Sequence, residues 1–440
     1  MIRRQQGRGR VITPALPGEA PTSRESEPVS TWAPFAYGAF RILFVTQLVA
    51  NVGRLMQATG SAWAIQDNGG SPLQVSLIQT ATYAPLVGLG FVAGTLADRL
   101  NRRLLLIACQ AWMALSATAL SVATWLGRAD PLVVLTLTFA IGLGTAVAAP
   151  TWAALQPSLV PGRLAGRAIA LNGLTFNVAQ ATGPALAGLV IAALGTPWVF
   201  AINALSLTCT VLAILVWKAP SPAPPPTESF GRSLRAGLRC IMAAPQRQIL
   251  ARLAIFIVPA TSVMALAPVL ADERLGLNGS GFGALLAMFG AGAALSVTVW
   301  SRVEGRGEEW GMVFSAALLT VALVTAAICT QPVVVGSALL LSGIAYTLGS
   351  TCAYVAAQRV VDDALRARVM AAYVVTSGAV VAAASAAWGI VARTGVGKAF
   401  AVAAVLSALG LATRTRWPLP RATDKRADGA TDSAKTTPTS

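Results

Sequence analysis

Twelve apolar segments of membrane-spanning length follow one another along the chain, separated by polar loops. A helix needs about 20 apolar residues to cross the hydrocarbon core of a bilayer. By that measure the segments lie at residues 40–64, 73–97, 104–126, 132–154, 168–194, 197–217, 250–271, 281–300, 311–329, 333–357, 368–392 and 398–415. Only 11% of the residues are charged, against about 25% in an average soluble domain. The sequence therefore predicts an all-α membrane protein with 12 transmembrane helices.

The longest polar stretch between two apolar segments divides the twelve predicted helices into six and six. The predicted domains are a disordered cytoplasmic tail at 1–35, a six-helix bundle at 36–217, a cytoplasmic central loop at 218–247, a six-helix bundle at 248–417 and a disordered tail at 418–440. Both tails are polar and poor in apolar residues, and residues 1–35 have no apolar core of a signal peptide. Arg232, Arg235 and Arg239 in the central loop fit an amphipathic helix on the inner leaflet or a solvated linker.

Basic residues are concentrated on one predicted side of the membrane. With both termini in the cytoplasm, 28 of the 33 Lys and Arg fall in cytoplasmic stretches. Such an asymmetry is the positive-inside signal that sets the orientation of membrane helices. The net charge of +16 is therefore explained by topology and by contact with anionic lipid. We expect no nucleic-acid partner.

Residue usage argues against an enzyme and against a metal site. The chain has no histidine, the commonest metal ligand and general base, and its five cysteines show no CxxC spacing. It also lacks a glycine-rich phosphate loop ending in Lys-Ser/Thr. We expect no cofactor, no metal and no ATP-driven pumping by this chain.

The two predicted bundles contain similar loops, which indicates an internal repeat. LVPGRLAGRAIA at 159–170 matches VVDDALRARVMA at 360–371, and each joins the fourth predicted helix of its half to the fifth. In these segments Leu164 corresponds to Leu365, and Arg167 corresponds to Arg368. Two repeated bundles are typical of secondary transporters that bind substrate at the midplane between them.

The loop GTLADRLNRR between the second and third predicted helices carries the most specific motif. It resembles the signature loop of the major facilitator superfamily, and the matching residues are Gly94, Asp98, Arg99, Arg102 and Arg103. The resemblance implies two pseudo-symmetric six-helix bundles and an ionic latch that closes the cytoplasmic side. The alternative is a basic loop that only sets topology. The second-half copy, SRVEGR, has Glu304 but no matching Asp.

Three longer stretches narrow the resemblance within the superfamily. They begin at FRILFVTQ, LVPGRLAG and VVDDALRA and are similar to the enterobactin-exporter-like subfamily of siderophore and macrolide efflux proteins. Helix 5 also contains ATGPALAG, which resembles an exporter motif, with Gly183, Pro184 and Gly188 as its matching residues. The sequence departs from these patterns at Trp152, Ala153, Ala179 and Arg54.

Arg54 lies near the middle of the first predicted helix, where a charge is costly and often functional. The resemblance implies that helices 1 and 5 border a central cavity. Arg54 would then bind an anionic or carbonyl-rich substrate; alternatively, it extends outward or bonds to a main-chain carbonyl. The predicted cavity residues are Gln47, Asn51, Arg54, Gln57, Asn172, Phe176, Gln180, Tyr346 and Tyr373.

Acidic residues lie in tails, loops or helix ends, and none lies at the predicted midplane. Asp67 and Asp272, near outer helix ends, are the candidates for proton coupling. The alternative is an anionic solute driven outward by the membrane potential.

These features predict a monomeric secondary active transporter of the bacterial inner membrane. We expect it to export a small anionic metabolite, with a siderophore as the leading candidate, by alternating access. One alternative is a multidrug or macrolide efflux pump. Another, of a different class, is a membrane sensor or scaffold that transports nothing. The expected partners are the small-molecule substrate and the lipid bilayer.

Overall fold

The computed structural model describes residue 30 and residues 32–217, 246–359 and 363–417. Within these ranges, the side chains at 90–99, 154, 170, 176–177, 303–304, 363–368, 371–372 and 415–416 are not described. The described residues form no strand and twelve long helices. The first six are α1 Gly38–Asp67, α2 Pro72–Arg99, α3 Arg102–Trp125, α4 Pro131–Leu155, α5 Ala165–Leu194 and α6 Thr196–Val216. The second six are α7 Gln246–Val269, α8 Gly279–Val303, α9 Glu308–Ile328, α10 Pro332–Arg359, α11 Asp363–Ala392 and α12 Val396–Leu411.

Each of the twelve predicted segments corresponds to one of these helices, which confirms the predicted fold class. Ten of the described helices are long and apolar enough to cross a membrane. The other two are α12, which has 16 residues, and α2. The first half of α2 is unusually polar because it carries Gln74, Ser76, Gln79, Thr80 and Thr82.

Local sequence signals explain several helix boundaries. The side chain of Asn101 accepts hydrogen bonds from the main-chain N–H groups of Arg103 and Leu104, at 3.0 and 3.4 Å, and so caps the start of α3. Gly195 separates α5 from α6 in a one-residue turn with φ of 92°. Glycine accommodates this backbone conformation without the steric cost of a side chain.

The helix contacts of the first half recur in the second half, between helices whose numbers are higher by six. In the first half, α1 packs on α5 and α6, α2 on α4, and α3 on α4 and α6. In the second half, α7 packs on α11 and α12, α8 on α10, and α9 on α10 and α12. The two main contacts between the halves, α2 with α11 and α5 with α8, also correspond to each other under this shift. The internal similarity of the sequence therefore has a counterpart in the packing.

Since consecutive helices run antiparallel, one side of the bundle holds the start of α1 and the end of α12. We call it the terminal side, and the opposite one the far side. The described contacts between the halves run from the middle of the bundle to the far side. A Cβ on Gly188 would overlap the backbone of Gly283, and one on Gly290 would overlap the carbonyl of Ala181. Small residues let membrane helices approach this closely, so the halves touch backbone to backbone on the far side.

Ion pairs join the terminal ends of three helices in the second half. Arg252 of α7, which is 3% exposed, pairs with Glu309 at the start of α9 and donates a hydrogen bond to the carbonyl of Trp417. Glu308 pairs with Arg359 at the end of α10. The first half has a simpler counterpart, in which Arg103 donates to two main-chain carbonyls at the end of α6. These contacts hold each half together as a unit.

Arg252→Ala is expected to lower the free energy of unfolding by about 1.5–3 kcal/mol, because it removes the charge-assisted hydrogen bond between the buried Arg252 and Glu309. The measurement is the Tm of the detergent-solubilised protein. The matched control is Arg302→Ala, because Arg302 is exposed and its one hydrogen bond among the described residues is to a carbonyl of its own helix. Equal Tm values for both variants would show that the ion pair contributes no stability.

Candidate substrate cavity

A cavity lies between the two halves, from the middle of the bundle toward the far side. It has about 870 Å³ of empty space, part of it open to solvent. Both halves contribute to its wall, and no Asp or Glu is among the described residues that line it. The lining residues are Leu55, Ala58, Thr59, Ala62, Val75, Ile78, Gln79, Thr82, Tyr83, Gln180, Pro184, Thr261, Met264, Ala267, Pro268, Phe282, Leu286, Phe289, Tyr346 and Val381.

Arg54 lies on the face of α1 that is turned toward this cavity. It stands four residues before Ala58 and eight before Ala62, both of which line the cavity. Positions four apart lie on one face of a helix. Its side chain is half-buried and lies close enough to Tyr83 for an electrostatic interaction. No acidic side chain in the described part of the chain pairs with it, and its electrostatic neighbour Tyr83 lines the cavity.

Several of the other predicted cavity residues bind neighbouring helices instead. The amide of Gln47 donates to Asn172 of α5 at 3.1 Å, and Gln47 also accepts a hydrogen bond from the buried Gln156. Asn51 donates to Thr175 at 3.2 Å. Such bonds between polar side chains hold membrane helices together. These residues connect α1 to α4 and α5 and do not line the cavity described above.

Gln57 also faces a neighbouring helix. It is 2% exposed and accepts a hydrogen bond from the amide of Asn203 on α6. The backbone of Gly53, one turn earlier, lies against the same part of α6. Gln57 thus belongs to the α1–α6 contact, although it is only three residues from Arg54.

The remaining predicted cavity residues lie in three different environments. Gln180 of α5 and Tyr346 of α10 line the cavity. Tyr373 of α11 is buried, donates to the carbonyl of Ser350 at 3.1 Å and packs edge-on against Tyr354. The side chain of Phe176 lies outside the described residues. Gln180 and Tyr346 therefore line one space, whereas Arg54 lies one helical turn before the lining residue Ala58 and is not itself among the described lining residues.

The two candidate coupling carboxylates both lie at the far side. Asp67 is exposed at the end of α1. Asp272, in a single π-helical turn that continues α7, accepts a hydrogen bond from Gln66 of α1 at 2.8 Å. Neither residue lines the central cavity.

The two predicted family motifs lie at opposite ends of the first half. In the loop motif, the side chains of Gly94, Asp98 and Arg99 lie outside the described residues, Arg102 is half-buried, and Arg103 binds the end of α6. In the helix-5 motif, Pro184 lines the cavity, whereas Gly183 packs closely on Leu55 and Gly188 on Gly283.

The predicted cavity residues included none of α2 and neither of the two phenylalanines of α8 that line the cavity. Gln79, Thr82 and Tyr83 of α2 line it, as do Phe282 and Phe289 of α8. The polar residues of α2, spaced three and four apart, were the available signal. No comparable signal marks the two phenylalanines, because aromatic residues are equally common in helix packing.

Known proteins were compared with this chain and its fold. Residues 29–437 match the model of a family described as transmembrane secretion effector. The enterobactin exporters of Shigella boydii serotype 18 and Escherichia coli O1:K1 are each 29% identical over 258 residues, which is 58% of this chain and 62% of the relative. The chain thus matches somewhat less than two thirds of the length of these relatives.

Solved transporter structures share the fold at low sequence identity. A bacterial homolog of the human lysosomal transporter Spinster, inward-facing and unoccupied, aligns with a TM-score of 0.70 at 12% identity, over 86% of this chain and 96% of its own. The nucleoside transporter NupG aligns with a TM-score of 0.67 at 11% identity, over 87% and 100%. The chain is a multi-pass protein of the bacterial inner membrane. Because the family match covers most of its length, it belongs to the transmembrane secretion effector family of the major facilitator superfamily, a family of transporters.

Proposed function

We propose that this protein is a secondary active transporter that exports a small anionic metabolite by alternating access, with a siderophore as the leading candidate. The observation that carries the proposal is Arg54, which has no acidic partner among the described residues and lies one helical turn before Ala58 of a cavity whose described lining contains no acid. An arginine in such a place attracts anions and can bind a carboxylate with two parallel hydrogen bonds. The similarity to enterobactin exporters supports both the outward direction and the substrate class.

The distribution of basic residues supports an orientation with the terminal side in the cytoplasm. The far side then faces outward, and the close backbone contacts there represent a state whose outer side is closed. In this state solute would reach the cavity from the cytoplasm. Export would follow when the outer contacts between the halves separate.

The membrane potential is a sufficient driving force for an anionic solute. Moving one negative charge out of a cell with a negative interior releases about 2.3 kcal/mol per 100 mV. The cavity lining contains no described carboxylate that could carry a proton together with the solute. Coupling through Asp67 or Asp272 is the alternative, and would act at the outer side.

Export of drugs or macrolides is the second candidate. Much of the cavity wall is apolar, including Leu55, Met264 and Leu286, and two phenylalanines extend this surface. Such a wall suits a large, partly apolar solute. The positive charge of Arg54 disfavours the cationic compounds among these substrates.

Deletion of the gene from its own bacterium tests the proposed function. Metabolites in the culture fluid are compared with those of the parent and of the deletion strain complemented with the wild-type gene. We expect one or more anionic metabolites to fall at least tenfold outside the cell and to accumulate inside. Unchanged secretion of anionic metabolites, combined with higher sensitivity to macrolides, would favour the second candidate.

A further inference from the structure

Two cavities are separated by one aromatic pair on the outer side of the bundle. Phe282 of α8 lines the central cavity, and Trp63 of α1 lines a second cavity that opens at the outer surface. Their rings stack, with centroids 4.9 Å apart and planes inclined at 16°. Trp63 is 4% and Phe282 is 1% exposed. The pair therefore forms a partition, with one ring toward each cavity.

The second cavity is a polar space at the outer ends of the helices. It has about 920 Å³ of empty space, part of it open to solvent. Most of its side chains can hydrogen-bond with water or with a polar solute. The lining includes Asp67, Asn68, Thr124, Thr196, Asn278 and Ser280. A solute that passes the aromatic pair would therefore enter a hydrated environment before it leaves the protein.

Close backbone contacts between α5 and α8 lie beside the aromatic pair. Gly188 and Gly283 bring α5 and α8 into direct contact. A Cβ on Gly279 would lie 2.7 Å from Ile191 and 3.3 Å from the indole nitrogen of Trp63. Beside this close contact between α5 and α8, the stacked rings of Trp63 and Phe282 lie between the two cavities.

A single hydrogen bond lies beside the ring pair and also joins the halves. Gln66, three residues after Trp63 on α1, donates to Asp272 beyond α7 at 2.8 Å. The side-chain amide oxygen Oε1 of Gln66 is buried and has no hydrogen-bond partner among the described residues. A buried polar atom without a partner destabilises the conformation that buries it. The closed state is thus held together locally by a contact of modest strength. A contact that must break in every transport cycle is expected to be of this kind.

We propose that the Trp63–Phe282 pair is the outer gate of the transport pathway, that the hydrogen bond between Gln66 and Asp272 stabilises its closed state, and that the polar cavity is the chamber into which solute is released. The inference rests on the proposed function for the direction of movement. The position of the gate can be tested without any substrate, so the two proposals can fail separately.

The test uses the full chain with Ala58→Cys, which places a thiol in the central cavity. Right-side-out vesicles are treated with a membrane-impermeant maleimide, and labelling of the chain without this change is subtracted. Trp63→Ala and Phe282→Ala are each expected to increase labelling from outside at least fivefold. Trp63→Phe, which keeps a ring, should remain near the level of the parent.

Trp198→Ala is the matched control, because Trp198 packs edge-on against Trp125 within the first half and is not among the described lining residues of either cavity. It should leave labelling unchanged. Inverted vesicles provide the folding check, since the same cysteine should react from the cytoplasmic side in every variant. If the Trp63→Ala protein does not accumulate during expression, Phe282→Leu is tested in its place. Folded gate variants that label from outside no faster than the Trp198 control would overturn the proposal.

Discussion

Arg54→Ala is expected to reduce export of the anionic solute by one to two orders of magnitude. A hydrogen bond to a charged group contributes about 1.5–3 kcal/mol, and about 1.4 kcal/mol corresponds to a factor of ten. The full effect should appear here because Arg54 has no acidic partner in the described part of the chain that would compete for its charge. The measurement is the initial rate of efflux from vesicles prepared with equal amounts of each variant.

Two control variants separate charge recognition from packing. Arg54→Lys keeps the charge but cannot form two parallel hydrogen bonds, so it should retain part of the activity. Gln57→Ala removes a polar side chain from the same helix that instead binds Asn203. It should lower the Tm and leave the affinity for solute unchanged. If Arg54→Ala exports at the wild-type rate, Arg54 does not recognise the substrate.

Gly188→Ala is expected to reduce transport at least tenfold, although it adds only one methyl group. That methyl group would overlap the backbone of Gly283, so α5 and α8 would have to separate. Overpacking costs about 1–3 kcal/mol, and here the cost falls mainly on the state in which the outer side is closed. The equilibrium between the two states would therefore move toward the outward-open state.

Gly173→Ala is the matched control on the same helix, because no described atom outside the neighbouring backbone of α5 lies within 4 Å of the position that its Cβ would occupy. It should transport normally and can add a little stability to α5. Gly188→Ala should change both the efflux rate and the external labelling of Ala58→Cys. The Gly173→Ala control should change neither. Normal transport by Gly188→Ala would show that the α5–α8 contact is not required for the outer closure.

Features that depend on a single segment could be predicted from the sequence. The twelve helices follow from local hydropathy, since each segment must satisfy the length of the bilayer by itself. The depth of Arg54 within α1 follows from its distance along the same helix. Its place on the cavity face also agrees with the spacing of Ala58 and Ala62.

Features that depend on two helices could not be predicted from one sequence. The polar stripe of α1 gave no means of distinguishing Arg54 from Gln57, because the direction of α6 is set by contacts distant in sequence, such as Gly53 with Asn203. For the same reason the partner of Gly188 was not evident. The sequence places Glu308 just before the predicted segment 311–329, but its ion pair with Arg359 depends on how α9 and α10 pack.

Efflux from proteoliposomes under a controlled membrane potential tests the central claim most directly. The full-length protein is reconstituted, and the vesicles are loaded with the radiolabelled solute that the deletion strain fails to secrete. With equal pH on both sides, a potential of about 100 mV, negative inside, supplies about 2.3 kcal/mol per charge. We predict efflux that rises severalfold with this potential and is lost in Arg54→Ala. Efflux that depends only on a pH gradient, or that is equal in vesicles without protein, would contradict export of an anion driven by the membrane potential.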